Sequence, residues 1–151
     1  VLPDVQDPTN LGAILRTCQA LGVTGVLLGK KCADPFSRRV FRVSMGGVLH
    51  LPLVESRDLQ VDLKLLRETQ GCELIATVLD PSAPQLETYD QRPSRLALLF
   101  GSEGHGLPMD CIEAASRKVT LTMQRQADSL NVAAAAAVFL YHFCRVSQVC
   151  Q

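Results

Sequence analysis

The sequence predicts an α/β fold in which helices cover both faces of a parallel sheet, and three observations lead to that prediction. Apolar segments of strand length alternate with amphipathic segments of helical length along the whole chain. The strand predicted at residues 96–100 is apolar at every position, as is typical of a strand covered on both faces. The chain has 151 residues, of which 47% are hydrophobic and 20% are charged, so it is long enough to bury a core. We therefore expect a single domain over residues 1–151.

The first elements have the order and size of a β–α–β unit. A short apolar segment at residues 2–5 leads into a turn-rich loop, in which Thr9 or Asn10 is suited to cap a helix. Apolar residues then recur at helical spacing until Gly22, a residue type that commonly ends helices. The strand predicted at residues 26–28 completes the unit.

The same alternation continues to the end of the chain. Residues 81–93 contain three of the eight prolines and are predicted as a loop. Pro52 places its strand at an edge or near an end, because proline cannot donate a ladder hydrogen bond. Asp128 and Ser129 are expected to open the last helix. Helices are predicted at residues 35–45, 59–69, 107–115 and 130–146, and strands at residues 49–54, 73–79, 96–100 and 119–123.

Five consecutive alanines at residues 133–137 leave two interpretations open. Small side chains let helix backbones approach closely, so the run is consistent with packing against another helix or against a second subunit. The alternative is the high helix propensity of alanine alone.

Charge and hydropathy exclude several classes of protein. The 15 Lys and Arg residues balance the 15 Asp and Glu residues, which excludes a chain-wide field that attracts nucleic acid. No apolar run reaches about 18 residues, and the N-terminus lacks the pattern of a signal peptide, so we expect no membrane span. The predicted location is the cytoplasm, with the mitochondrion as the alternative.

Cysteine and histidine give no sign of a disulfide framework or a metal site. The six cysteines are scattered and form no C-x-x-C pair, which favours reduced thiols in a reducing compartment. The three histidines are scattered as well, so no metal site is predicted. The chemistry must therefore come from other residue types.

The first loop with residues that packing does not explain is Asn10-Leu-Gly-Ala-Ile-Leu-Arg16. Arg16 lies about a turn and a half into the first helix, beside the apolar residues Leu15 and Cys18. A buried arginine is costly unless it is paired, so a functional contact is one interpretation. A solvated helix arginine and a capping role for Asn10 are the alternatives.

The second loop, Gly101-Ser-Glu-Gly-His-Gly106, directly follows the apolar strand at residues 96–100. Ligands bind outside the carboxyl ends of parallel strands, and glycines let a backbone come close to a ligand. The spacing is not that of the dinucleotide-binding fingerprint, and no Walker lysine follows. An ordinary tight turn is therefore the alternative.

A third loop and a basic cluster complete the set of candidates. The loop from Arg125 to Asn131 ends in an asparagine just inside the last helix, where asparagine is a poor helix former. The basic cluster, defined as Arg38, Arg39 and Arg42, lies on adjacent positions of one predicted helix. Such a cluster is typical of contacts with phosphate groups, whereas a solvated helix face is the alternative.

Together the three loops resemble the motifs of the SpoU family, the TrmH-type RNA 2′-O-ribose methyltransferases of the SPOUT superfamily. The resemblance covers the whole chain and keeps the three motifs in order. One departure is Leu121-Thr122-Met123, where relatives often have Ile-Pro-Met, and it removes no functional side chain. The matching residues are Asn10, Gly12 and Arg16 in motif one, Gly101, Glu103 and Gly106 in motif two, and Ser129, Leu130 and Asn131 in motif three.

The resemblance implies a fold, a cofactor and an oligomeric state. The implied fold is a parallel-sheet α/β/α SPOUT fold whose C-terminal segment forms a deep trefoil knot. The knot is expected to bind S-adenosylmethionine, and the enzyme is expected to be a homodimer with its active site near the subunit interface. The residues implied for the cofactor pocket are Thr77, Val78, Leu79, Gly101, Gly106, Leu121, Met123 and Leu130.

The resemblance also implies an activity, which is methylation of a ribose 2′-hydroxyl in ribosomal RNA or, as the alternative, in tRNA. Arg16 is the expected catalytic residue. It acts either as the base that takes the hydroxyl proton or as a group that orients the hydroxyl and the phosphate, since the pKa of arginine exceeds about 12. No metal is expected, because a sulfonium is already a good methyl donor. The residues implied to position Arg16 and the ribose are Asn10, Glu103, Ser129 and Asn131.

Two other functions stay open alongside this expectation. A non-catalytic RNA-binding relative would keep the fold, although the intact Arg16, Glu103 and Asn131 count against it. An α/β enzyme that uses another nucleotide would be expected to carry a Walker lysine or an early glycine-rich turn. Many relatives carry an N-terminal RNA-recognition domain, and we expect that domain to be absent from this chain.

Overall fold

A computed structural model of the chain describes residues 1–91, 93–123 and 129–146, and it shows helices and strands in the predicted alternation. Two short 3₁₀ helices, at Gly47–His50 and Leu86–Thr88, lie within connecting segments. The helices are α1 (Pro8–Ala20), α2 (Arg38–Val43), α3 (Leu59–Glu68), α4 (Met109–Ala114) and α5 (Val132–Val146), and the strands are β1 (Val26–Leu28), β2 (Leu53–Glu55), β3 (Glu73–Val78), β4 (Leu96–Leu99) and β5 (Arg117–Thr120).

Every strand pair in the described part of the chain is parallel, which confirms the predicted sheet type. Strand β1 pairs with β2, and β3 lies between β4 and β5. In the second ladder Ile75 faces Leu98 on one side and Arg117 on the other. Parallel neighbours need a crossover connection. Helix α2 lies in the connection from β1 to β2 and α4 in that from β4 to β5, whereas the described part of the connection from β3 to β4 contains only the 3₁₀ helix at Leu86–Thr88.

The first two residues connect the two ladders. The backbone N–H of Leu2 donates to the carbonyl oxygen of Leu27 in β1, at 2.9 Å. On the other side, the N–H of Phe100 donates to the carbonyl oxygen of Val1, and the terminal amine of Val1 donates to that of Leu98 in β4. Residues 1–2 therefore lie between β1 and β4.

Helix α5 packs against α1, and this contact accounts for part of the alanine run. On α1, Ile14 and Leu15 are fully buried, and on α5 Ala136 and Phe139 are buried in the same core cluster. Ala134, in the middle of the run, is exposed. Close helix packing within the chain thus explains Ala136, and it leaves the outer face of α5 open.

Helix α2 is shorter than the helix predicted at residues 35–45. The hydroxyl of Ser37 accepts a hydrogen bond from the N–H of Val40 and caps the helix, so α2 begins at Arg38. Met45 and Gly46 then both have positive φ, which ends the helical path. The Ser37 cap and the positive φ angles of Met45 and Gly46 thus limit the helix, although the hydrophobic pattern would have allowed a longer one.

The strand predicted at residues 49–54 is also shorter in the structure. Residues 47–50 form a 3₁₀ helix, and only Leu53–Glu55 pair with β1. The alternation of Leu49, Leu51 and Leu53 favoured a longer strand, but the side chain of Leu49 is 63% exposed. The prediction was wrong there because a period-2 pattern over three leucines does not require that all three be buried.

The caps of α1 and α5 differ from the predicted ones. The carboxylate of Asp7, rather than Thr9 or Asn10, accepts hydrogen bonds from the backbone and caps α1. Helix α5 begins at Val132, so Ser129 lies before it, and Asp128 lies outside the described residues. Because Asp7 caps α1, the side chain of Asn10 stays available for another contact.

Five of the six cysteines lie in the described part of the chain, and each is a free thiol. Cys18 and Cys111 are buried, and Cys32 donates its thiol proton to the carbonyl oxygen of Leu2. Their burial in or beside the core agrees with the predicted reduced state. Cys150 lies outside the described residues.

Candidate active site

The side-chain amide of Asn131 joins the three motifs. Its Nδ2 atom donates to Oδ1 of Asn10, at 3.0 Å, and to Oε1 of Glu103. Its Oδ1 atom accepts from the backbone N–H groups of Ala133 and Ala134, at 2.9 and 3.3 Å, and so caps α5. The asparagine that was unexpected inside a helix is therefore its capping residue, and its free amide protons hold the other two motifs in place.

Asn10 is able to make this contact because Asp7 has taken over the capping of α1. Asn10 lies in the first turn of α1 and is 8% exposed. A buried side-chain amide needs a hydrogen-bond partner, and Asn131 supplies one. We refer below to Asn10, Glu103 and Asn131 as the asparagine junction.

The loop that carries Glu103 is closed by its own backbone. Ser102 and Gly106 exchange two backbone hydrogen bonds, each 3.0 Å long. A Cβ atom at Gly101 would lie 2.0 Å from the carbonyl carbon of Gly106, so only glycine fits there. Gly101 therefore allows the backbone to pack closely against Gly106 of the same loop, and not against a ligand as its sequence position suggested. Because the N–H groups of Ser102 and Gly106 are already bonded, they do not form a phosphate cradle, which counts against the alternative of another nucleotide.

A pocket opens beside the asparagine junction, between the carboxyl ends of β3 and β4 and the start of α5. It is also lined by Glu103 and Ser129, two of the residues implied to position the substrate. All eight residues implied for the cofactor line it, namely Thr77, Val78, Leu79, Gly101, Gly106, Leu121, Met123 and Leu130. Their role as cofactor contacts stays a prediction.

Sequence reasoning missed five other residues of this pocket. Phe100 and Ser102 flank Gly101, while Val132, Ala135 and Phe139 follow Asn131 at helical spacing. Their positions next to the motifs, and the i, i+3, i+7 spacing on the last helix, were signals that could have found them.

The pocket is narrow and mostly apolar, with a few hydroxyl groups. Its volume of about 80 Å³ lies below the roughly 300–1,000 Å³ of ordinary ligand pockets, so a nucleoside-sized ligand must widen it. Thr77 uses its hydroxyl within the protein, donating to the carbonyl oxygen of Leu99 at 2.9 Å. The hydroxyl of Ser102 is buried and has no hydrogen-bond partner among the described residues. A buried hydroxyl without a partner typically costs about 1–3 kcal/mol.

Arg16 is not part of this cluster within one chain. It lies six residues after Asn10, about 9 Å further along the axis of α1, and its side chain is exposed. It does not line the pocket, and it forms no hydrogen bond or ion pair with the residues that the structure describes. In the isolated chain, therefore, Arg16 is a solvated helix arginine.

The basic cluster lies on α2, next to motif one. Arg38, Arg39 and Arg42 are all exposed. The guanidinium of Arg39 donates to Oγ1 of Thr9 at 3.3 and 3.4 Å, directly before Asn10. A Cβ atom at Gly12 would lie 2.8 Å from Cβ of Val43, so the motif-one glycine lets α2 pack closely on α1. The cluster is thereby held at the side of α1 that carries the motif.

Two kinds of feature are missing from the described part of the chain. No group of three or more His, Cys, Asp or Glu side chains in residues 1–91, 93–123 and 129–146 is arranged to hold a metal ion. Among the described helices, none combines the length and the apolar character that crossing a membrane requires.

Comparison with known proteins agrees with the motif resemblance. The model of the SpoU rRNA Methylase family matches residues 1–141. An uncharacterized tRNA/rRNA methyltransferase of Synechocystis is 43% identical over 141 residues, which cover 93% of this chain and 50% of that protein. The 23S rRNA (guanosine(2553)-2′-O)-methyltransferase RlmP of Bacillus subtilis is 36% identical, over 91% of this chain and 54% of that protein. The chain thus spans about half the length of the curated relatives it matches.

A solved structure shows the same fold. The AdoMet-bound rRNA methyltransferase of Sinorhizobium meliloti superposes with a TM-score of 0.82 at 31% identity, covering 93% of this chain and 53% of that one. The chain belongs to the SpoU rRNA methylase family.

Proposed function

We propose that this chain is the catalytic part of an S-adenosylmethionine-dependent RNA methyltransferase that modifies a ribose 2′-hydroxyl, in ribosomal RNA rather than tRNA. The observation that carries the proposal is the asparagine junction, because Glu103 belongs both to the junction and to the lining of the pocket. The 2′-O-methyltransferase activity on 23S rRNA of the Bacillus subtilis relative supports the choice of substrate. tRNA is the alternative substrate.

The residues of the pocket fit S-adenosylmethionine. Its apolar side, formed by residues such as Leu79, Phe100 and Leu130, suits an adenine ring, and its hydroxyl groups suit a ribose or an amino acid. The unpartnered hydroxyl of Ser102 is the kind of polar atom that a bound ligand satisfies. When bound, the cofactor supplies an activated methyl group on sulfur. We include in this proposal that the C-terminal segment forms the trefoil knot of the family beside the pocket. The superposition of 93% of the chain on the Sinorhizobium meliloti structure supports it.

We assign Arg16 the role of orienting the ribose hydroxyl and its neighbouring phosphate. In the proposed reaction a bond forms between the 2′-oxygen and the methyl carbon, the carbon–sulfur bond breaks with its electron pair staying on sulfur, and the hydroxyl proton passes to solvent water. A charged guanidinium has no acceptor site for that proton, but its fork of donors matches a phosphate. The residues of the asparagine junction, together with Ser129, hold the ribose beside the pocket.

Because Arg16 lies away from the asparagine junction of its own chain, the proposal places the Arg16 of a second subunit at each site. An apolar stripe that starts at Leu130, just before α5, and continues along the outer face of α5 supports this arrangement. Ala134, Val138 and Tyr141 are exposed and recur at helical spacing on α5, and the exposed pocket residue Leu130 precedes them. A homodimer that covers this stripe brings a second chain to the edge of the pocket.

The basic cluster on α2 is proposed to contact RNA phosphates. Arg39 is anchored to Thr9, so a bound phosphate would lie near motif one. With no net charge on the chain as a whole, this local cluster is the part of the surface suited to RNA. We propose a cytoplasmic location, because the matched relatives are bacterial proteins, and the mitochondrion is the alternative.

The experiment that tests the function is methyl transfer from isotope-labelled S-adenosylmethionine. Ribosomal RNA and tRNA are incubated separately with the chain, digested to nucleosides and analysed by mass spectrometry. We expect 2′-O-methylated nucleosides, with more label in ribosomal RNA. Label on bases only, or no label from a folded protein that binds S-adenosylhomocysteine, would overturn the proposed reaction.

A further inference from the structure

The hydroxyl of Ser102 is the single buried side-chain polar atom without a hydrogen-bond partner among the described residues. The backbone of the same residue is fully bonded, since its N–H and its carbonyl oxygen both pair with Gly106 at 3.0 Å. The loop therefore fixes the position of Ser102 and leaves only its hydroxyl without a partner.

Thr77 shows that this pocket is able to satisfy a hydroxyl from within the protein. Thr77 lines the same pocket, and its Oγ1 atom donates to the carbonyl oxygen of Leu99 at 2.9 Å. The two hydroxyl groups therefore have different roles. The hydroxyl of Thr77 links β3 to β4 by a hydrogen bond, whereas the hydroxyl of Ser102 makes no hydrogen bond within the described part of the protein.

A buried polar atom that stabilises nothing is disfavoured in the folded state, so its presence at a ligand pocket calls for a partner outside the protein. The pocket is too narrow for a nucleoside as it stands, and widening it uncovers the atoms that line it. The tight Ser102–Gly106 pairing keeps the loop in one conformation, so the hydroxyl is already in place when the ligand enters.

We propose that Oγ of Ser102 forms a hydrogen bond with the bound cofactor and so sets part of its affinity. The inference rests on the proposed function for the identity of the cofactor. It adds a residue that none of the three motif matches includes. Ser102 is here a binding residue, because the hydroxyl contacts the cofactor itself.

The test is calorimetric titration of S-adenosylhomocysteine into the wild-type chain, Ser102→Ala and the matched control Thr77→Val, together with thermal unfolding of each protein without ligand. For Ser102→Ala we expect an affinity that is about three- to tenfold weaker, the size of one neutral hydrogen bond. Its unfolding midpoint without ligand should equal or exceed that of the wild type, because no bond of the fold is lost. Thr77→Val should lower the midpoint, because it breaks the bond to Leu99.

Each outcome bears on a definite claim. Wild-type affinity in Ser102→Ala overturns the inference and leaves the proposed function standing, as does a midpoint that falls as far as that of Thr77→Val. Absence of binding to the folded wild-type chain overturns the cofactor of the proposed function and this inference with it. Repeating the titration with 5′-methylthioadenosine, which lacks the amino acid, locates the contact. If Ser102→Ala binds both ligands more weakly than the wild type does, the hydroxyl contacts the nucleoside. If only the affinity for S-adenosylhomocysteine falls, the hydroxyl contacts the amino acid.

Discussion

Asn10 and Asn131 are 121 residues apart in the chain, yet their side chains are joined by a hydrogen bond of 3.0 Å between Nδ2 of Asn131 and Oδ1 of Asn10. The bond ties the first turn of α1 to the start of α5, and the same amide also holds Glu103. One side chain thus fixes the relative positions of all three motifs. A change at Asn131 should therefore affect stability as well as activity.

Asn131→Ala should lower the free energy of unfolding by about 2 kcal/mol. The substitution removes the cap of α5 and leaves the buried amide of Asn10 without its partner. Asn131→Asp is the matched control for the cap, since its carboxylate still accepts from Ala133 but has no proton to donate. Urea unfolding followed by circular dichroism measures both. Equal stability of wild type and Asn131→Ala would contradict the assigned role of the amide.

Arg16→Ala should leave folding and S-adenosylhomocysteine binding unchanged and lower methyl transfer at least about a hundredfold, since positioning groups are commonly worth that much. Folding and S-adenosylhomocysteine binding should stay unchanged because Arg16 is exposed and does not line the pocket of its own chain. Arg16→Lys keeps the charge without the fork of donors and should restore little. Single-turnover methylation assays and calorimetry separate the two effects.

Mixing Arg16→Ala with Asn131→Ala subunits tests whether Arg16 acts across a dimer. If it does, the mixed dimer contains one site with an intact junction and an intact Arg16, and activity reappears although each parent is inactive. Mixed dimers that stay inactive after subunit exchange would place Arg16 at the site of its own chain.

Gly101→Ala should prevent folding or lower stability by at least about 3 kcal/mol, because the added Cβ would lie 2.0 Å from the carbonyl carbon of Gly106. Gly104→Ala is the matched control in the same loop, since a Cβ there has no atom within 4 Å. Thermal unfolding of the two variants is the measurement. A stable Gly101→Ala protein would show that the loop is able to open without loss.

Cys18 should make stability fall at alkaline pH. Burial raises the pKa of its thiol from about 9.0 to about 11, so the unfolded chain loses this proton first as the pH rises. Between those values the unfolded state binds fewer protons, and stability should decrease, in total by about 2–3 kcal/mol. Urea unfolding at pH 8 to 10.5 measures the slope, and Cys18→Ala should reduce it. An identical slope in that variant would show that other groups cause the dependence.

Reversing the charge of Arg38, Arg39 and Arg42 to Glu should weaken RNA binding and flatten its dependence on salt. Each lost phosphate contact should reduce the slope of log K against log salt by about 0.7–0.9. Reversal of Lys64 and Arg67, exposed on α3, is the control away from motif one. Filter binding at several salt concentrations is the measurement. If both variants bind RNA as the wild type does, the cluster is a solvated helix face.

Local patterns were sufficient to predict the alternation of helices and strands and the parallel sheet. Hydrophobic periodicity reports which face of a segment is buried, and it does so without knowledge of distant residues. Periodicity predicted the boundaries of the elements less well, as at α2 and at residues 47–50. A helix begins or ends where local features interrupt the pattern, such as the Ser37 cap and the positive φ angles of Met45 and Gly46.

The sequence by itself determined the family and ten of the fifteen residues that line one pocket, since motif spacing and residue type are local properties. Only the tertiary structure decided what those residues do to one another. Asp7 capped α1 and released Asn10, Asn131 closed the junction, and Ser102 kept an unpartnered hydroxyl. It also left Arg16 away from the junction of its own chain. Such outcomes depend on contacts between segments that are far apart in the chain, where packing and hydrogen-bond competition select one arrangement among several that the sequence pattern allows.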